Sequence, residues 1–292
     1  SLPFLQKLGL GADRLAGRVG VFHWTDYVQP PLSRARAVLT VHDLAFVRDP
    51  RWHGEDAAVL AERTRAAIAA ATAIVVPSTT TAQDVRTFAP AAPSPVVIPF
   101  GADHVPQDLA PTNGEPPFVL CVGTIEPRKN HLALLAAWRR LPSKHPRLLV
   151  VGRIGWECDA IVAALRAAEA EGLVEWRQHV DDRALWRLLA GARALVYPSA
   201  WEGFGFPPLE AMQLGVPVLA NDTPALRELG DEAFEFVDAD DPDAFAAALH
   251  RVLHDDALRL RCVRNGRQRA AHFRWANCAE AHAKVYREVA AC

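Results

Sequence analysis

The feature that most constrains this chain is a recurrence: short apolar runs return along its length, with stretches of helical spacing filling gaps between them. The runs occupy 37–41, 73–76, 96–98, 118–122, 148–151, 194–197 and 216–220, and the helical stretches 57–70, 131–141, 159–171, 183–190 and 242–253. A strand with one face in water alternates apolar and polar residues. A strand covered on both faces does not, and such strands belong to parallel sheets with crossover helices on either side. The chain is therefore expected to be an α/β protein with doubly wound parallel sheets, closed by three helical segments that run through Tyr286.

With 292 residues, half of them hydrophobic, there is material for two such cores. The rhythm breaks once, at 103–117 (DHVPQDLAPTNGEPP), a polar, proline-rich stretch with the composition of an interdomain linker. The expected domains are 1–102, an N-terminal Rossmann-like domain, and 118–274, a C-terminal one, joined by the linker 103–117. The tail 275–292 is expected to be a helix packing back on the N-terminal domain. Only three or four strands precede the linker where a doubly wound domain has about six. The opening units of the N-terminal domain are accordingly expected to be absent from this chain.

Composition narrows the function. Charged residues make up 23% and the formal net charge is -2, without the basic excess that a nucleic-acid-binding protein needs. No apolar run approaches the ~20 residues of a membrane span, and residues 1–10 lack the apolar stretch of a signal peptide, so the chain reads as cytoplasmic. The cysteines (Cys121, Cys158, Cys262, Cys278, Cys292) have neither C-x-x-C nor zinc-site spacing and read as buried free thiols of a reducing compartment. Lysine is scarce (Lys7, Lys129, Lys144 and Lys284), which sets apart the Arg128-Lys129 pair.

The segment 194–220 (ALVYPSAWEGFGFPPLEAMQLGVPVLA) carries the most information. A buried strand ends near Pro198, a loop follows, and prolines open a short helix that Gly215 closes. Proline suits the first helical turn, and glycine the left-handed cap just past the last. Residues 203–207 thus lie at a helix N-terminus beyond the carboxyl end of a parallel strand, where such sheets bind ligands and where free N–H groups favour anions or oxygen-rich molecules. Glu202 and Glu210 bracket the loop, with Glu210 expected in the helix's first turn. Ionised carboxylates suit vicinal hydroxyls of a sugar or ribose. Arg128 and Lys129 follow another strand and the Gly123-Thr124 turn, a fork and a point charge that could neutralise a diphosphate.

These residues resemble a known family. Glu202-Gly-Phe-Gly-Phe-Pro-Pro-Leu-Glu210 is similar to the E-x7-E motif of the retaining glycosyltransferases with the GT-B fold, often called family 4. FVLCVGTIEPRKN at 118–130, LLVVGRIGWE at 148–157, and the segments 180–199 and 234–242 resemble the same family, as do VHDLAF at 41–46 and VVPSTTTAQDV at 75–85. The resemblance covers roughly 20–290. It implies two Rossmann-like domains with a cleft between them, the N-terminal one incomplete here, and a hexosyl transfer that retains anomeric configuration without a metal. The donor is a nucleotide diphosphate sugar, bound as substrate, with no cofactor. The acceptor is a glycan or lipid-linked sugar hydroxyl, reached from the inner face of the membrane, with weak peripheral association allowed.

The resemblance also implies roles. Glu210 holds the ribose, Glu202 and the N–H groups of Gly203, Phe204, Gly205 and Phe206 hold the sugar, and Arg128 and Lys129 meet the leaving diphosphate. Gly123 and Thr124 line the donor site, with Thr124 where many relatives carry Arg. His42 faces the donor sugar, Val180 offers its backbone to the base, and Arg153 reaches the donor or caps a helix. The Glu-Pro-Arg-Lys-Asn variant at 126–130 resembles bacterial polysaccharide mannosyltransferases, which favours GDP-mannose.

Bland readings stand beside these. Asp43 orients His42 or caps a turn, Ser78 and Thr79 cap a helix, and Trp201 packs or lines the pocket. Asp238-Ala-Asp240 and Asp241-Pro-Asp243 match the D-x-D pattern of metal-dependent transferases, but sit where helix-capping aspartates are expected. Gly9-Leu-Gly11 follows no strand, so a dinucleotide site is not expected. A nucleotide-sugar-binding fragment without catalysis, and another GT-B enzyme such as an epimerase or phosphorylase, remain open.

Overall fold

The computed structural model describes residues 11–17, 19–26, 29–106, 109, 117–142 and 145–291. Gly9, Lys7, Lys144, Cys292 and most of the stretch 103–117 lie outside them. The chain divides into two compact units: 1–101 with 275–292, and 102–274.

In the first unit, β1 (Val21–Trp24), β2 (Arg36–Thr40), β3 (Ala73–Val76) and β4 (Val96–Val97) form a parallel sheet in that order. Its described helices are α1 (Ala12–Leu15), α2 (Ala45–Arg48), α3 (Asp56–Ala70), α4 (Thr79–Phe88) and the final helix, Trp275–Ala291. One face of the sheet packs Leu39, Ile74 and Val76 with Phe46 and Ile68. The other packs Val38, Val75 and Ile98 with Cys278, Val285 and Val289 of the final helix. That helix is also tied by hydrogen bonds: His23 on β1 links Nδ1 to the Tyr286 hydroxyl and Nε2 to the Thr40 hydroxyl, each at 2.7 Å.

The second unit contains β5 (Phe118–Val122), α5 (His131–Trp138), β6 (Arg147–Val151), α6 (Asp159–Ala170), β7 (Val174–Arg177), α7 (Asp182–Gly191) and β8 (Ala194–Tyr197). There follow α8 (Phe206–Leu214), β9 (Val218–Asn221), α9 (Pro224–Gly230), β10 (Phe234–Val237), α10 (Pro242–His254) and α11 (Asp256–Ala270), after which the final helix is α12. The six strands are parallel in the order β10-β9-β8-β5-β6-β7. The chain winds outward from β5 to β7, then returns past its start to β8 and winds the other way. This is the doubly wound Rossmann order, and its switch point lies between β5 and β8.

Most strands legible as apolar runs are covered: β8 is buried throughout, and β6 and β9 over all but one residue. The exception is β4, an edge strand whose two valines are exposed. The strands that the runs did not mark, β1, β7 and β10, are sheet edges. β7 alternates buried and half-buried residues, and β1 carries the polar His23. The run expected to begin at 216 pairs only from Val218, because the Val216 N–H still bonds Ala211 of α8.

Among the described residues no helix is long and apolar enough to cross a membrane. Cys121, Cys158, Cys262 and Cys278 are free and buried.

The loops after β5 and β6 touch at backbone level. A Cβ on Gly152 would lie 1.8 Å from the Gly123 carbonyl oxygen, a contact no rotamer can relieve. Gly152→Ala is therefore expected to destabilise the second unit by about 3 kcal/mol, the scale of an overpacked interior. The readout is the thermal unfolding midpoint, and an unchanged midpoint would show that the two turns can part.

Candidate active site

The switch point brings two loops together. After β5 the chain continues in register, Gly123 bonding Val151 and Ile125 bonding Arg153. Pro127–Lys129 then form one tight 3-10 turn with proline at its start, and Asn130, in the left-handed region at φ 54°, leads into α5. From the other side of the switch point, the loop after β8 meets this turn: the Ala200 N–H bonds the Arg128 carbonyl at 2.8 Å.

That contact interlocks the charged side chains. Arg128 donates through Nη1 to Glu202 Oε2 at 3.0 Å and to the Trp201 carbonyl at 2.9 Å, and through Nη2 to Glu126 Oε1 at 2.7 Å. Lys129 Nζ donates to the other Glu202 oxygen at 2.5 Å and to the Tyr197 hydroxyl at 3.0 Å. One carboxylate thus holds both cations. The pair is not the solvated one expected of a plain helix start, since the side chains of Arg128 and Lys129 are 13% and 12% exposed and that of Glu202 is 8% exposed.

Burial and pairing oppose each other here. Burial would raise the Glu202 carboxyl, but Lys129 and Arg128 overcome it and hold the group at about 2. Burial would likewise lower the Lys129 ammonium, and Glu202 more than reverses it. Glu126 has one cation for a neighbour at hydrogen-bond distance rather than two, and burial wins: its carboxyl is pushed above the ordinary range. Among the described residues, its Oε2 is buried without a hydrogen-bond partner.

The loop runs from Glu202 through Gly203 and Phe204 to Gly205, the N-cap of α8 at φ 111°. A side chain at 205 would be strained by that φ, and its Cβ would fall 2.9 Å from Leu226 Cδ2. Prolines occupy the first turn of α8, and Gly215 caps its end in the left-handed region. The expected position of Glu210 needs correction. Because the helix already begins at Phe206, Glu210 lies in the second turn, and no acidic residue occupies the first. Its carboxylate is not in the cation cluster. It lies 3.3 Å from His104 Nε2, and the His104 ring packs edge-on against Trp186 of α7 at 5.7 Å between centroids. Burial raises the Glu210 carboxyl, with His104 and a Trp186 hydrogen bond opposing it.

The remaining candidates divide. Gly123 leaves room for the Lys129 stem, whose Cδ would be 3.4 Å from a Cβ there. Thr124 is half-buried and Arg153 exposed on adjoining loops bridged through Ile125 and Ile154. Arg153 is not a helix cap, since α6 is preceded by Cys158. Val180 is half-buried just before Asp181, which caps α7. Phe206 is 36% exposed at the start of α8. His42 belongs to the first unit, where its Nε2 is 2.7 Å from the Thr25 carbonyl and its ring lies beside Phe100. Asp43 accepts the Ala45 N–H and Ser78 caps α4. Trp201 is buried. Asp238 and Asp241 serve turns, the latter accepting from Asp243 and Ala244 as the cap of α10.

Four residues joined to these groups were not singled out in the sequence. Glu126 stood inside the quoted motif. Tyr197 read as one more apolar strand residue. His104 lay in the polar, proline-rich stretch and Trp186 in a helix, with nothing local to link either to Glu210.

Two parallel α/β units, one of them with the Rossmann strand order, are the architecture of the GT-B fold. The chain belongs to the family described as Glycosyl transferases group 1, whose profile matches residues 108–269. O-antigen chain mannosyltransferase B of Escherichia coli is 30% identical over 285 residues, spanning 91% of this chain and 74% of that protein. Serotype-specific mannosyltransferase WbdA of Escherichia coli is 30% identical over 273 residues, 82% of this chain, which thus spans 32% of that relative. The crystal structure of WaaG, described as a glycosyltransferase involved in lipopolysaccharide biosynthesis, matches with a TM-score of 0.77 at 17% identity, over 97% of this chain and 80% of that one.

One further residue bears on the stability of the site. His131, the first residue of α5, is 1% exposed, and among the described residues neither ring nitrogen has a hydrogen-bond partner. Burial, reinforced by Lys129, lowers the imidazole to about 4. Below the ordinary histidine value the unfolded chain takes up a proton that the folded chain refuses, so stability is lost as pH falls from about 6.5 towards 4. His131→Leu is expected to stabilise the protein more at pH 5 than at pH 8, by about 2 kcal/mol of difference. Urea unfolding at the two pH values checks this, and equal increments would place the imidazole proton elsewhere.

Proposed function

We propose that the chain transfers a hexosyl group, mannosyl by preference, from a nucleotide diphosphate sugar to a hydroxyl of a growing glycan, with anomeric configuration retained. The observation that carries this reading is the interlocked Arg128, Lys129 and Glu202 cluster at the switch point. Its two cations are fixed before any ligand arrives. Fixed charges of this kind stabilise an anion that develops during reaction more than one already present. The diphosphate of a departing nucleotide is such an anion, and two side-chain cations can meet it in place of a metal.

Glu202, ionised and oriented by both cations, would accept hydrogen bonds from sugar hydroxyls alongside the N–H groups of 203–206. Glu210, on the next turn of α8, would take the ribose hydroxyls. As the bond from C1 to the phosphate oxygen breaks, the acceptor oxygen bonds C1 on the same face, and its proton passes to the departing phosphate oxygen. The mannosyl preference is supported by the mannosyltransferase relatives. GDP as the nucleotide rests on the Glu126-Pro-Arg-Lys-Asn130 sequence and its resemblance to bacterial polysaccharide mannosyltransferases. The acceptor class that the O-antigen chain relative supports is a growing glycan.

Calorimetric titration with GDP-mannose tests the site. Lys129→Ala and Glu210→Ala are each expected to weaken binding by about tenfold or more, the scale of a lost charged hydrogen bond. Parental affinity in both variants would refute the assignment. The product anomer, read by proton NMR, tests retention.

A further inference from the structure

Tyr197 is the last residue of β8 and is 2% exposed. A covered strand of a parallel sheet asks only for apolar bulk, and its neighbours Leu195 and Val196 supply that. A buried phenol brings a hydroxyl that needs a partner. The partner is Lys129: Nζ donates to the tyrosine oxygen at 3.0 Å, and the ammonium lies 5.1 Å from the ring centroid. Burial, with Glu202 nearby, raises the phenol, so it stays neutral and accepts from the ammonium as an uncharged oxygen.

We propose that Tyr197 is the positioning residue for Lys129, fixing the ammonium together with Glu202 from a second direction so that one N–H stays directed to a nucleotide diphosphate. The inference rests on the diphosphate reading above. Lysine is a point charge on a flexible stem and keeps no direction by itself. Its ammonium has three N–H bonds. Among the described residues, hydrogen bonds use two, one to Glu202 and one to Tyr197. Glu202 sits on a loop, whereas Tyr197 is anchored in the sheet opposite Ala220. The carboxylate already holds the ammonium at 2.5 Å, and the tyrosine oxygen adds a second anchor, carried by the sheet, that fixes the direction of the remaining N–H. Without it the ammonium would be held from the Glu202 side alone and free to turn about that one contact.

The test uses Tyr197→Phe, which keeps the ring and its contact with the ammonium and removes only the hydroxyl. GDP, UDP and ADP are titrated into the parent chain by calorimetry, and the tightest is then titrated into Tyr197→Phe, Lys129→Ala and the double variant. Unfolding midpoints are measured in parallel. Tyr197→Phe is expected to bind about tenfold more weakly than the parent, and the double variant within about twofold of Lys129→Ala. Parental affinity in Tyr197→Phe overturns the proposal. So does an equal further loss in the Lys129→Ala background, which would mean that Tyr197 acts by packing. Parental affinity in Lys129→Ala, or no binding of any diphosphate to the parent, refutes the wider reading instead.

Discussion

The site depends on one topological constraint: β5 and β8 are neighbours in the sheet although they lie in opposite halves of the winding. Crossovers from neighbouring strands ordinarily lie side by side on one face and close over the strand ends. At a switch point they leave for opposite faces, and the two strand-end loops are left facing each other. The cation loop follows β5 and the glutamate loop follows β8. Their backbones are joined between Ala200 and Arg128, so neither can shift without the other.

Such a union places like charges together, and the electrostatics of the cluster follow from how that strain is met. Arg128 and Lys129 are adjacent in sequence and both largely buried, an arrangement that would be costly without a shared anion. Glu202 supplies it with one oxygen to each. The same carboxylate could not satisfy the whole fork of Arg128, and Glu126 takes the remaining side. The result is a dense set of opposed charges behind the N-terminus of α8, rigid because each member is fixed by at least one other.

Much of this was legible in the sequence, and the reasons are specific. Strands β3, β5 and β8 stood out because both faces are covered, and the start and end of α8 because prolines suit a first helical turn and Gly215 its left-handed cap. The pairing within the site was less legible. Sequence spacing suggested separate duties for Glu202 and for the two cations, whereas the fold joins them across 73 and 74 residues. Glu210 is held by His104 across 106 residues, a contact that no local pattern encodes. Edge strands β1, β7 and β10 went unmarked because their residues are mixed, whereas the edge strand β4 was marked because its exposed residues are valines. Tyr197 shows the limit most clearly: as a strand residue it is simply apolar, and only the neighbouring loop shows what its hydroxyl is for.

The final helix has a consequence of its own. It completes the first unit, covering one face of that sheet through Cys278, Val285 and Val289, yet it follows the entire second unit in the chain. Ordinarily an emerging polypeptide matures from its N-terminus onward. Here the earlier-made sheet must wait with Val38, Val75 and Ile98 uncovered while the later-made unit closes. In synthesis the sheet of the first unit is thus complete well before the helix that covers one of its faces has been made.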